Sequence, residues 1–411
     1  MSIATLDLHD SNLQLWHQDA RVQSPGYALL QGRDYQFGAT ARAAARLQPR
    51  NINTRYWWQL STETLQPALG PARHTGDLAH AHLRQLHQEA DKPDEVLLAV
   101  SGSMQREQLA LLLGIVQQCP FRAVGLVNRS VALGSLYGQG ERLFHLEIQL
   151  HQALVSELAV RDNSVELQRA TPLPSVGLLH LQERLVEVVA GEFVRQTRFD
   201  PRHKASTEQL LYDALPAALR ALQTRAETNV EVNGYRARIS AQHLIAAGQR
   251  LFESARESMG ALRASDHVIA DPLAGLLPGL GAAFGSVDVL AADDVHRALQ
   301  MHQQHLVQHE QDLRFVTALP SLQEKTISLP EPARRPTHLL QQHVARALNE
   351  HGTALAEGGE IYLGKDGWQL RGADASTTVN GARYLAGQVL ERGDTISIGP
   401  GAPVLLIEVV A

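Results

Sequence analysis

The spacing of apolar positions changes several times along the chain, and each change predicts an element. In "IATLDLHDSN", residues 3–12, apolar and polar positions alternate from Thr5 to Leu8. His9, Asp10, Ser11 and Asn12 then break the pattern, and Leu13, Leu15 and Trp16 resume it. That spacing predicts strand, polar turn, strand. A second strand region near Ser24–Leu30 and the string "YQFG" precede an alanine-rich helix start, "ATARAAARL". Residues 77–91 read as helix. "DEVLLAVSGSM" is a continuous apolar run, the mark of a strand buried on both faces. The helix "QREQLALLLGIVQQC" follows, then a strand "RAVGLVN" and a further helix "RSVALGSLYG". Strand alternating with helix predicts a parallel sheet with helices packed on its faces.

At Leu143 the pattern changes to antiparallel strands, "LFHLEIQLHQALVSELAVRDNSVELQRATPL". From about Leu178 to Arg263 the chain is mostly amphipathic helix, interrupted by the Asn-Gly hairpin of "VEVNGYRARIS". A short apolar strand, "HVIAD", leads into "PLAGLLPGLGAAF" and the helix "DDVHRALQMHQQHL". Residues 316–336 hold four prolines among polar residues and read as a linker. The last stretch is β-rich, with turn signals at "KDG", "VNG" and "RGD".

Composition narrows the classes. A chain of 411 residues allows two or three domains. A net charge of −6 supplies no basic field, so no nucleic-acid partner is expected. The single cysteine, Cys119, excludes an intrachain disulfide framework and fits a reducing compartment. Neither a signal-like start nor an apolar run of about 18 residues is present. The expectation is a cytoplasmic protein without membrane insertion.

The order of elements over roughly residues 1–315 resembles the actin-like ATPase superfamily, most closely the DnaK-type heat-shock chaperones and bacterial actins. "LDLHDSN" stands where that family has its first phosphate hairpin, Asp-x-Gly-Thr. "EVLLAVSGSMQREQLALLLGIVQQCPFRAVGLVNRSVALGSLYG" is similar to the family's buried strand, helix and connecting motif, with Asn128, Ala132, Tyr137 and Gly138 matching. "LEIQLHQALVSEL" takes the place of the second phosphate hairpin. "VIADPLAGLLPGL" takes that of the adenosine motif, with Pro278 and Gly279 matching. The resemblance implies an α/β fold: a two-lobed, duplicated ribonuclease H-like body with a helical insertion.

The departures fall on the chemistry. Glycine in these hairpins lets backbone N–H groups close on phosphate oxygens. Asp7 is kept, but His9 takes the glycine position and Asp10 follows. Glu147, Gln149, Leu150, His151 and Gln152 replace the second hairpin, removing every glycine. Arg129 aligns with the acid that helps place the attacking water. Asp271, Pro272 and Leu273 replace the paired glycines that admit adenine. Asp7, His9, Asp10, Arg129 and Glu147 are thus the candidate residues of a degenerate nucleotide cleft. No catalytic residue and no cofactor are expected. The expected function is that of a pseudo-ATPase acting as an interaction or scaffold protein, with a protein partner. The alternative is a divergent chaperone-like ATPase that binds ATP, with Asp7, Asp10 and Glu147 around a magnesium ion.

Other signals carry less chemistry. His302, His305 and His309 share a helix face at metal-capable spacing but read as a solvated face; His80, His82 and His87 are a weaker group still, and no metal site is expected. Ser101-Gly102-Ser103 reads as a strand-to-helix turn. In "RYWWQL", Trp57 and Trp58 are candidates for a partner-binding patch. "TTVNGARYLAGQVLERGDTISIG" resembles the second half of a forkhead-associated (FHA) domain, with Asn380, Gly381, Gly393, Asp394, Ile396 and Gly399 matching. The arginine and Ser-x-x-His loop with which that family reads phosphothreonine are not found upstream. Residues 337–411 therefore read as a small β-sandwich for docking, with Asn380, Gly381 and Asp394 at its partner-facing loops. Trp368, Leu370, Val379, Leu390, Ile396, Ile398 and Leu405 are its expected core.

Overall fold

The computed structural model describes residues 3–138, 140–308, 313–322, 336–355, 358–365, 367–373, 376–399 and 401–409. The chain divides into two compact units, residues 1–324 and 325–411. It is a mixed α/β protein with several sheets.

The opening segment forms strands Ala4–Leu8 and Leu13–His17, both buried along their whole length. Ala4–Leu8 lies inside a six-stranded sheet, antiparallel to Leu13–His17 and parallel to Glu95–Val100. Arg122–Asn128 continues the parallel part, and Ala20–Ser24 closes the antiparallel edge. The second six-stranded sheet repeats this plan. Three antiparallel strands, Arg142–Ile148, Gln152–Arg161 and Ser164–Pro174, are followed by His267–Ala270, which pairs parallel to the first of them. In both sheets a three-strand meander precedes a parallel addition to its first strand.

The two sheets share a core. Leu97, Ala99, Val124 and Val127 of the first pack with Leu143, Leu158, Val165 and Ile269 of the second. The helix Arg129–Tyr137 belongs to that core, and Arg129 through Leu136 are all buried. Helices Thr75–Glu89 and Arg106–Val116 cover the outer side of the first sheet. Leu178–Thr197, Ala205–Leu222 and Ala241–Met259 cover the second through a leucine- and valine-rich cluster. The Asn-Gly hairpin forms as expected, with Asn233 and Gly234 both at positive φ between Glu227–Val232 and Tyr235–Ser240.

Two short strands lie at the start of the segment read as a linker. Phe315–Val316 pairs with Arg122–Asn128 and Ala318–Pro320 pairs with Ser164–Pro174, so this segment adds an edge to each sheet. Most of the remainder of that segment, 323–335, falls outside the described residues.

The second unit has a six-stranded and a three-stranded sheet around Leu339, Ile361, Trp368, Leu370, Val379, Leu390 and Ile396. Leu405 does not join that core. Val404 and Leu406 do, because the register of the final strand, Val404–Ile407, turns alternate residues inward. Among the described residues, no helix is long and apolar enough to cross a membrane.

Candidate functional site

The carboxyl ends of strands from both sheets of the first unit converge on a buried cluster of charges. Asp7 comes from the end of Ala4–Leu8, Glu147 from Arg142–Ile148, and Asp271 directly follows His267–Ala270. Arg129 opens the helix after Arg122–Asn128, where Asn128 caps by accepting from the N–H of Val131 at 3.1 Å. The ends of parallel strands are where α/β sheets commonly build sites, because loops and helix termini meet there.

The Arg129 guanidinium holds the cluster together. Its Nε donates to both oxygens of Asp7, at 2.9 and 3.2 Å. Its Nη1 donates to Asp271 Oδ1 at 2.9 Å and to Glu147 Oε2 at 3.4 Å. All four side chains are buried. A cation at a helix N-terminus opposes the helix dipole, so the three carboxylates are what make this placement tolerable. Burial would suppress its charge, but Asp271, Asp7 and Glu147 outweigh burial and raise the Arg129 pKa. Burial likewise opposes ionisation of Asp271, yet Arg129 and the hydrogen bond from His145 hold its pKa well below the usual range. For Glu147, His9 and Arg129 overcome the same penalty and lower its pKa. At Asp7 burial prevails over Arg129, and its pKa is raised.

Two histidines complete the cluster. His145 Nε2 lies 3.3 Å from Asp271 Oδ1, and its Nδ1 lies 2.9 Å from the Ser130 hydroxyl. His9 Nε2 lies 3.4 Å from Asp271 Oδ2 and 3.5 Å from Glu147 Oε1, outside hydrogen-bond geometry, and its Nδ1 meets Ser11 Oγ at 2.7 Å. The Gln149 amide donates to Glu147 Oε1 and to Ser101 Oγ, each at 2.6 Å.

Asp10 stands apart from Arg129. It accepts from the backbone N–H of Leu150 at 2.9 Å, so the first hairpin binds the second. Burial pushes its pKa up to about 6. Leu150 is fully buried with Tyr27, Leu29 and Ala41, and His151 stacks on Trp58 at 5.0 Å while its Nε2 meets Thr54. These two side chains thus fill the space beside the second hairpin. Gly177 backs the same turn so closely that a Cβ there would lie 2.3 Å from Gln152 N.

A cavity of about 440 Å³ remains on the other side of the cluster. Asp7, His9, Arg129 and Asp271 form part of its lining, leucines from the helices of the second sheet form much of the rest, and Arg21, Arg42 and Arg220 also border it.

All five cleft residues expected from sequence lie in this region, Asp7, Arg129 and Glu147 in direct contact. Sequence reasoning missed His145 and Asp271 as members of the cluster. His145 stands two residues before Glu147, and strand alternation puts both on one face. Asp271 directly follows a short apolar strand, as Asp7 stands near the end of one.

The other candidates take varied positions. Trp57 is buried and donates from Nε1 to His82 Nδ1 at 3.2 Å, whereas Trp58 is 37% exposed. The face carrying His302 is not simply solvated, and the other histidine group is largely buried. His82 is fully buried between Ser24 and Tyr56, His87 is buried, and His302 is buried with its Nε2 2.9 Å from Ser135 Oγ. His309 lies outside the described residues. In the second unit Asn380 donates to Asp394 Oδ1 at 2.7 Å and accepts from Thr395 N at 2.9 Å, so the two polar residues lock their turns together. Asn380 and Gly381, both at positive φ, form the turn between Thr378–Val379 and Ala382–Arg383.

No protein-family model matches the chain, and no curated protein matches it in sequence.

Proposed function

We propose that the chain is a non-catalytic pseudo-ATPase of actin-like, DnaK-like build that works as a protein-interaction or scaffold protein. The observation that carries this reading is the bridging of Asp7, Glu147 and Asp271 by Arg129. In the resembled family, nucleotide chemistry at this place calls for a metal ion and phosphate oxygens. Here a guanidinium supplies the positive charge among the carboxylates, and the Asp10 carboxylate takes a hairpin N–H that would otherwise face a phosphate. The repeated strand plan of the two sheets supports the duplicated body that the resemblance implies.

The alternative, a divergent ATP-binding chaperone-like enzyme, draws on the cavity of about 440 Å³ that borders Asp7, Arg129 and Asp271. Thermal unfolding with and without millimolar ATP and magnesium separates the two. A ligand at 100 times its Kd that binds only the native state adds about 2.7 kcal/mol, plain in a melting curve. The pseudo-ATPase reading expects no shift; a clear upward shift would overturn it.

A further inference from the structure

A second cavity, of about 400 Å³, opens on the opposite side of the two hairpins and has a different chemistry. Asp10, Trp57, Trp58, Gln59, Met104 and Gln149 are among its lining residues. No lysine, arginine or histidine is among the described residues that line it, in contrast to the arginine-bordered cavity on the far side of the cluster. The one charge is Asp10, a buried carboxylate without an ion-pair partner among the described residues. Its acceptor contacts to the backbone N–H groups of Leu150 and Ser11 are to neutral donors, and His9 acts on it only as a neighbouring basic group outside the cavity lining. Buried charges in proteins are ordinarily paired.

The residue that carries the indole beside it is tied at its backbone. Gln108 Nε2 donates to the Trp58 carbonyl at 3.1 Å and its Oε1 accepts from Gln105 N at 3.0 Å, tying Trp58 to the helix Arg106–Val116. His151 stacks on Trp58 at 5.0 Å, and burial lowers the pKa of that imidazole to about 4, so it adds no competing positive charge at neutral pH. An unpaired carboxylate, an indole, a thioether and side-chain amides form a set that recognises an organic cation. The carboxylate supplies the counter-charge, the ring face attracts an ammonium group, and the apolar atoms accept an alkyl stem.

We infer that this cavity is a recognition site for an alkylammonium group, with Asp10 as its counter-ion and Trp58 as its aromatic surface, and that a lysine side chain of the protein partner is the ligand. The ligand's origin in a partner rests on the interaction-protein reading above; the ammonium chemistry does not.

The test follows the indole N–H signals of the tryptophan-labelled 411-residue chain, which has four tryptophans. N-acetyl-lysine methylamide, n-butylammonium and the neutral N-acetyl-norleucine methylamide are titrated separately, with ATP and magnesium as a further arm. The lysine amide and butylammonium are expected to shift the Trp58 signal, and the norleucine amide is not. Asp10→Asn, which keeps an acceptor for Leu150 N, should weaken the lysine amide by about tenfold or more. Gln59→Lys places a tethered ammonium at the exposed edge and should abolish the shift without touching the core. Equal shifts from the neutral analogue, no shift from either cation, or an unaltered response in Gln59→Lys would overturn the site. Butylammonium acting alone would overturn the lysine assignment. A response to ATP would count against the pseudo-ATPase reading and leave the ammonium site standing.

Discussion

Arg129 Nη1 lies 2.9 Å from Asp271 Oδ1, joining the helix that follows one sheet to the strand end of the other. Removing the guanidinium leaves three buried carboxylates without their shared cation. Arg129→Ala should therefore cost about 3–5 kcal/mol in urea unfolding. Where Arg129 stands in place of a metal ion, millimolar magnesium should raise the melting temperature of the variant and leave the wild type unchanged. The same response from both proteins would count against that substitution.

Asp10 predicts a stability that falls as pH rises. Its native pKa, pushed up to about 6, exceeds the ordinary value of 3.8, so the native state binds the extra proton between those limits. This contribution favours folding at low pH and is lost as pH rises from about 4 to 6, by about 3 kcal/mol in all. Of its neighbours, His9 opposes this rise and Glu147 adds to it. Asp10→Asn should be more stable than wild type at pH 7.5, and the gap should close near pH 4. Urea titrations at both pH values check this; a variant less stable at pH 7.5 refutes it.

His82 works the other way. Burial lowers its pKa from 6.5 to about 3, and its ring is held neutral between Ser24 and Tyr56. The unfolded chain takes up this proton first as pH falls, so stability is full above 6.5 and declines below it. The slope from this group is about 1.4 kcal/mol per pH unit down to its native pKa. His82→Gln should be less stable than wild type at pH 7.5, since it disturbs the contacts to Ser24 and Tyr56, yet should decline less steeply below pH 6. Parallel slopes in the two proteins would remove His82 as a source of acid sensitivity.

Leu405 and Leu406 test the register of the last strand. Leu406 is fully buried in the core of the second unit and Leu405 is half-buried beside it. Leu406→Ala should cost about 2–5 kcal/mol and expose strands His338–Gln341 and Val404–Ile407 to hydrogen exchange. Leu405→Ala should leave their protection nearly intact. The reverse order would mean that the strand is shifted by one residue.

The sequence by itself determined the local elements. The apolar runs of Glu95–Val100 and Arg122–Asn128, the helix between them and the Asn233–Gly234 turn were legible because their signals lie within a few residues. The placement of Asp7, Arg129 and Glu147 beside one another was accessible only through resemblance. Asp271 lies 142 residues from Arg129 along the chain, and no local period reports such a contact. Tertiary structure alone decided that Arg129 faces three carboxylates, that His82 and His302 turn inward, and that Leu406 replaces Leu405 in the core. It also decided that Phe315–Val316 and Ala318–Pro320 become sheet edges. Strands of two or three residues are too short to show a period, and they form because an existing sheet offers unpaired backbone groups.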